Sequence, residues 1–186
     1  MHSIEKIAGL HPFVVTGVTI AWFVVGGVSM TTVSLGSANW ILIYSLTMAL
    51  FTAPLLLWHY CIYRTASDRS APFVGHAGRR GLSFLVCAVS LGCFLVVFSL
   101  SALATPGDPA SRTMMIIGNI SMPVGCIAYF VAVWATANAL TRFDEKEKDV
   151  AIHKTLGTFF LQVYFPIGIW FTHPRIKRMV ATPIPV

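Results

Sequence analysis

The chain has 186 residues, of which 56% are hydrophobic and only 11% are charged, and its mean hydropathy is +0.75. Soluble globular domains carry a charge on about 25% of their residues, so this composition excludes an ordinary soluble domain and predicts a chain that lies mostly in lipid. A bundle of four or five membrane helices would use nearly all of residues 1–186, which leaves one membrane domain and no room for a soluble catalytic one. The net charge of +6 comes from basic residues that flank apolar segments, and this placement favours membrane lipids over nucleic acid as partners.

The first apolar region runs from Ile7 to Tyr63 without a single Asp, Glu, Lys or Arg. One helix of that length would measure about 85 Å, nearly three times the thickness of the hydrocarbon core, so the region must fold back on itself. Its turn-favouring residues cluster at 34–39, which predicts a first span near 12–33 and a second near 40–63. Gly26 and Gly27 belong to a series of small residues in the first span, and such residues predict a contact with another helix.

Two further spans are predicted near 82–104 and 113–140, after a basic loop that runs from Arg64 to Gly81. In the fourth span, Ala128 and Ala132 belong to a ladder of alanines that would let two helix backbones approach closely. Asn119 and Pro123 lie one turn apart in the same span, and both need partners inside a bilayer. They predict a kink supported by neighbouring helices or, as the alternative, the lining of a solute pathway.

The C-terminal part begins with a mixed-charge stretch at 142–154, which predicts a solvated extension of the fourth helix that is stabilised by local ion pairs. An apolar segment follows at 155–172. It contains Pro166 and Gly168 near its middle, where a helix would be weakened and could bend.

The distribution of basic residues predicts the topology. With four spans and a C-terminal segment that returns to its starting side, twelve of the thirteen Lys and Arg residues lie on one side of the membrane. If that segment crosses as a fifth span, the partition becomes nine to four. The positive-inside rule therefore favours an all-α protein with four antiparallel transmembrane helices, both termini in the cytoplasm and a re-entrant or interfacial C-terminal segment, with five spans as the alternative.

The residues that carry chemistry are few. No ionisable side chain is expected in the hydrocarbon core, which argues against a proton relay or an ion pump, and no serine or cysteine has a base at the same depth, which argues against an enzyme. All six histidines fall on the predicted cytoplasmic side, and His11 and His59 lie at the adjoining ends of the first two spans. These two are candidate ligands of a haem or a metal ion, although no metal-binding spacing accompanies them.

Small residues on helix faces, short loops and the absence of buried charge favour a non-enzymatic subunit or assembly module of a larger membrane complex. The expected location is a bacterial cytoplasmic membrane, and the expected partners are lipids and other membrane subunits or further copies of the chain. One alternative is an oligomeric transporter or channel for small solutes that uses the broken C-terminal segment. A second alternative is a haem- or metal-binding redox protein; otherwise no cofactor is expected.

Overall fold

The computed structural model describes residues 2–18, 20–21, 24, 53–70, 80–103, 109–146, 150–164 and 167–182. The regular structure in these residues is α-helical throughout, which confirms the all-helical prediction for this part of the chain. The helices are α1 His2–Ala8, α2 12–18, α3 53–70, α4 Arg80–Leu103, α5 Pro109–Glu145, α6 Ile152–Val163 and α7 Ile167–Ala181.

Helices α4 and α5 occupy the third and fourth predicted spans. Among the described residues, one helix is long and apolar enough to cross a membrane, the part of α5 from Ile116–Glu145, and α4 contributes the shorter apolar stretch Phe84–Cys93. Most of the first predicted span, the turn at 34–39 and the first half of the second span lie outside the described residues. The four-span arrangement therefore stays a prediction.

Helix α3 is longer than the sequence indicated. We expected a loop from Arg64 to Gly81, but α3 continues through Ser70. The reason is that its polar side chains find partners inside the protein: the Ser70 hydroxyl donates to the Ala66 carbonyl at 2.6 Å, and Arg69 bonds to residues of other helices. Hydrogen-bonded polar groups can be buried at low cost, so the arginines of this stretch do not force the chain into water.

Helix α5 is shorter at its C-terminal end than the sequence indicated. The predicted extension into the mixed-charge stretch reaches only Glu145, where the helix ends, and Lys146 adopts a left-handed φ of 55°. A left-handed residue turns the chain out of a right-handed helix. Asp144 pairs with Arg175 of α7.

The core lies where α3, α5 and α7 meet. Its largest buried side chains come from all three helices: Trp58, Ile62, Leu140, Ile169, Ile176 and Met179. Helix α4 packs against α5 at a close approach, where the Ser90 hydroxyl donates to the carbonyl of the buried Gly125 at 3.0 Å. A serine that bonds to a backbone carbonyl across two helices is a common contact between helices in lipid.

Helices α6 and α7 turn back on each other, and we name them together the C-terminal hairpin. The start of α7 lies against the end of α6, where a Cβ atom added to Gly168 would overlap the Leu161 carbonyl group. Further along, the Arg175 guanidinium donates to the Thr158 hydroxyl at 2.7 Å. Since later residues of α7 contact earlier residues of α6, the chain returns towards the end from which α6 began.

Candidate functional site

Helix α6 has an inverted distribution of side chains. Its buried residues are all polar, Thr155, Thr158 and Gln162. Its exposed residues are His153 and Lys154 in the first turn, together with Ile152, Gly157 and Phe160. The buried positions follow at intervals of three and four, so they form one stripe along the helix. A helix that packs its polar side inwards and its apolar side outwards is suited to a lipid surround and not to water.

Thr158, in the middle of this stripe, is hydrogen-bonded to two other helices. The Thr158 hydroxyl accepts from the Thr141 hydroxyl of α5 at 3.0 Å and from the Arg175 guanidinium at 2.7 Å. Arg175 also forms an ion pair with Asp144, and both side chains are largely buried. We name Thr155, Thr158, Gln162, Thr141 and Arg175 together the polar seam between α5 and the C-terminal hairpin.

The inner end of the seam is different. Gln162 is 2% exposed, and neither its amide nitrogen nor its amide oxygen has a hydrogen-bond partner in the described part of the chain. A buried polar group without a partner costs about 1–3 kcal/mol, so this side chain lowers the stability of the fold unless something binds to it. Such groups in native proteins call for an explanation, and a bound water or solute is a common one.

A second arginine, Arg69, holds the C-terminal end of α7 in place. This is the base of the hairpin, where α6 begins and α7 ends. Arg69 of α3 donates to the Met179 carbonyl at 2.6 Å and pairs with Glu5 of α1 at 2.8 Å, and its side chain is 4% exposed. Three helices thus meet at one guanidinium group. A shallow cleft beside it is lined by Ile4, Glu5, Arg64, Thr65, Asp68 and Arg69.

The candidate ligand His11 lies at the start of α2. Its Nδ1 accepts a hydrogen bond from the Phe13 backbone N–H at 3.3 Å, so it acts as the cap of that helix. Its ring lies 5.4 Å from that of His173, and it is also close to the exposed Phe13 and Trp170, whose rings are 4.6 Å apart. Burial, together with the neighbouring His11 and Lys177, lowers the pKa of His173 below its usual value.

The other candidate ligand, His59, is fully buried in α3. Its Nδ1–H donates to the Leu55 carbonyl at 2.8 Å, and its ring contacts are with Trp58 and Tyr129, so its neighbours differ from those of His11. Within the described ranges, no group of three or more His, Cys, Asp or Glu residues is placed to hold a metal ion. The proposed haem or metal site stays a prediction from the sequence.

The predicted packing and pathway residues are distributed over the chain. Ala132 is buried at the contact of α3, α4 and α5, and Ala128 is half-buried. Asn119 and Pro123 are both exposed on α5, and Pro123 lies inside the helix.

Gly168 is buried at the bend of the hairpin. Gly26, Gly27 and Pro166 lie outside the described residues.

Sequence reasoning missed the three most informative residues, Arg69, Asp144 and Gln162. Arg69 and Asp144 were assigned to solvated segments, because nothing local identifies partners that are far away in the sequence. Gln162 had a visible signal, since it is the only glutamine in the chain and stands in an apolar segment. Comparison with known proteins finds no matching family model, no matching curated protein and no matching solved structure.

Proposed function

We propose that this protein is a polytopic helical membrane protein with four crossings and a re-entrant C-terminal hairpin, and that it acts as a non-enzymatic subunit of a larger membrane complex. The positive-inside rule favours a bacterial cytoplasmic membrane with both termini in the cytoplasm. Lipids and further membrane subunits are its partners.

The observation that carries the membrane assignment is the contrast between surface and interior. Large apolar side chains are exposed along α4 and α5, with Ile120 and Ile127 more than 60% exposed, while Arg69, His59 and Gln162 are buried. Soluble monomers rarely expose contiguous apolar surfaces of this kind. A lipid surround makes such a surface favourable.

The dimensions of the hairpin support re-entry. Helix α6 has 12 residues and α7 has 15, which correspond to about 18 Å and about 22 Å, and neither length crosses a hydrocarbon core of about 30 Å. Because α7 turns back along α6, the basic residues of its last turns return to the side where α5 ends.

The subunit role is supported by Asn119, which is exposed on α5 beside the exposed Ile116 and Ile120. A carboxamide in a lipid-exposed row is stabilised when a neighbouring transmembrane helix supplies a hydrogen bond. The rest of this face is apolar and suits both lipid and a packed helix.

Two measurements test the proposal. A reporter that is fluorescent only in the cytoplasm, fused after Val186, should be active, and activity of an externally active reporter at the same place would show five spans. For the subunit role, native mass spectrometry in mild detergent should show a stoichiometric foreign subunit that Asn119→Leu weakens and Ile120→Leu does not. A monomer, or a complex that is indifferent to Asn119, would refute that role.

A transporter or channel is the second candidate, and Gln162 is the observation that favours it. Substrate sites in transporters often lie near the bilayer midplane on discontinuous helices. Gln162 lies near the end of the short helix α6, and its amide has no hydrogen-bond partner in the part of the chain that the structure describes. Since four spans rarely enclose a pore, this candidate requires an oligomer. A homo-oligomer in the same mass spectrum would therefore favour it over the subunit role, while a visible haem absorption band would favour the redox alternative.

A further inference from the structure

Gln162 is the residue whose surroundings the proposed function does not explain. It is the only glutamine in the chain, it is 2% exposed, and both of its amide atoms lack hydrogen-bond partners among the described residues. The amide offers a donor and an acceptor at one place. Its natural ligand is therefore a small neutral molecule that can both accept and donate a hydrogen bond.

The polar seam connects Gln162 to the end of the bundle that is exposed to solvent. Thr158 precedes Gln162 by one helical turn on the same buried stripe, and Thr155 precedes Thr158. Just before this stripe, Lys154 pairs with Glu145 at 2.8 Å, with both side chains well exposed. The buried side of α6 thus carries hydroxyl and amide groups from the charged end to the inner end, while its exposed residues beyond Lys154 are Gly157 and Phe160.

The depth of Gln162 follows from helix geometry. It lies eight residues beyond Lys154, which corresponds to about 12 Å along the helix. Half of the hydrocarbon core measures about 15 Å. If the exposed ion pair lies at the head groups, Gln162 lies close to the midplane, where lipid supplies no hydrogen bonds.

We propose that the polar seam is hydrated from the cytoplasmic side and that Gln162 binds a water molecule at its inner end. This inference rests on the proposed re-entrant placement of the C-terminal hairpin. Water is the smallest molecule that satisfies both halves of the amide. An ion is a poor occupant, because Gln162 carries no charge to balance it.

The unaltered protein allows a direct test, because a single glutamine gives a single side-chain NH2 signal. The protein is labelled with glutamine that carries 15N at the side-chain amide and is placed in lipid nanodiscs, and the Gln162→Leu variant confirms the assignment by losing the signal. The expected result is a cross-peak between this amide and water, with complete exchange into D2O within minutes. An amide without a water cross-peak that keeps its protons for hours would overturn the proposal.

A labelling experiment then tests the side of access. The native cysteines Cys61, Cys87, Cys93 and Cys126 are replaced by alanine, and Gln162→Cys is compared with the buried Ile169→Cys and the exposed His153→Cys in oriented membrane vesicles. We expect a small charged thiol reagent to modify Gln162→Cys at least tenfold faster than Ile169→Cys from the cytoplasmic side, and more slowly than His153→Cys.

The outcomes separate this inference from the topology on which it rests. A rate for Gln162→Cys no faster than that for Ile169→Cys, with His153→Cys still labelled from the cytoplasm, overturns the hydrated seam and leaves the topology intact. Labelling of both Gln162→Cys and His153→Cys from the external side alone overturns cytoplasmic access and the proposed orientation together.

Discussion

The two ends of the C-terminal hairpin differ in the hydrogen bonding of their buried polar groups. At the base, Arg69 and Arg175 each bond to two partners on other helices. At the inner end, Gln162 has no partner within the described residues. Paired polar groups fix the positions of helices, so the pairs at the base account for how the helices are arranged. A buried polar group without a partner lowers stability, so Gln162 at the inner end indicates a ligand.

The largest effect on stability is expected when Arg69, at the base of the hairpin, is replaced. Arg69→Gln should destabilise the protein by about 3–5 kcal/mol, because Glu5 and the Met179 carbonyl would lose a buried charged partner. Unfolding followed in detergent micelles by circular dichroism measures the change. Arg112→Gln removes an exposed arginine of α5 and should change little; equal effects of the two variants would contradict the role of Arg69.

The next largest effect on stability is expected at the bend of the hairpin. Gly168→Ala should cost at least about 2–3 kcal/mol, because the added methyl group overlaps backbone that cannot move away as a side chain would. Gly157→Ala is the matched control on α6, where nothing lies within 4 Å, and it should stabilise by about 0.5–1 kcal/mol. Thermal unfolding of both variants compares them, and a harmless Gly168→Ala would show that the two helices do not meet there.

A smaller loss is expected at the satisfied part of the seam. Thr158→Val should cost about 1–3 kcal/mol, since Arg175 and Thr141 would each lose an acceptor. Thr172→Val is a matched control, because the buried Thr172 hydroxyl donates only to carbonyls of its own helix. Similar unfolding midpoints for the two variants would show that the bonds between helices at Thr158 contribute nothing.

The smallest effect concerns pH at the contact between α2 and α7. Because the pKa of His173 is lowered in the folded state, the unfolded state binds the proton more readily. Stability should therefore be complete above about pH 6.5 and should fall as the pH drops through the folded-state pKa.

This effect is measured as the change in unfolding midpoint between pH 7.5 and 5.5. His173→Asn should reduce the change, and the exposed His153→Asn should leave it as in the unaltered protein. An undiminished pH dependence in His173→Asn would exclude His173 as its source.

Much of the helical architecture could be predicted because it depends on local composition. Long apolar stretches form helices in lipid since every backbone group must bond internally, and the boundary between α6 and α7 falls beside Pro166 and Gly168. The ends of α3 and α5 could not be predicted in the same way. Whether Arg64–Ser70 and the residues after Glu145 stay helical depends on partners contributed by other helices.

The sequence by itself determined that the protein is helical and that its polar residues concentrate outside the long apolar stretches. Only the tertiary structure decided which polar residues pair: Arg69 meets Glu5 and Met179, which are 64 and 110 positions away, and Arg175 meets Asp144 at 31 positions. The physical reason is that hydropathy acts on each segment separately, whereas an ion pair or a hydrogen bond between helices exists only once their relative positions are fixed. Gln162 illustrates the same limit, since its sequence position shows a glutamine in an apolar segment and only the fold shows that it is buried without a hydrogen-bond partner among the described residues.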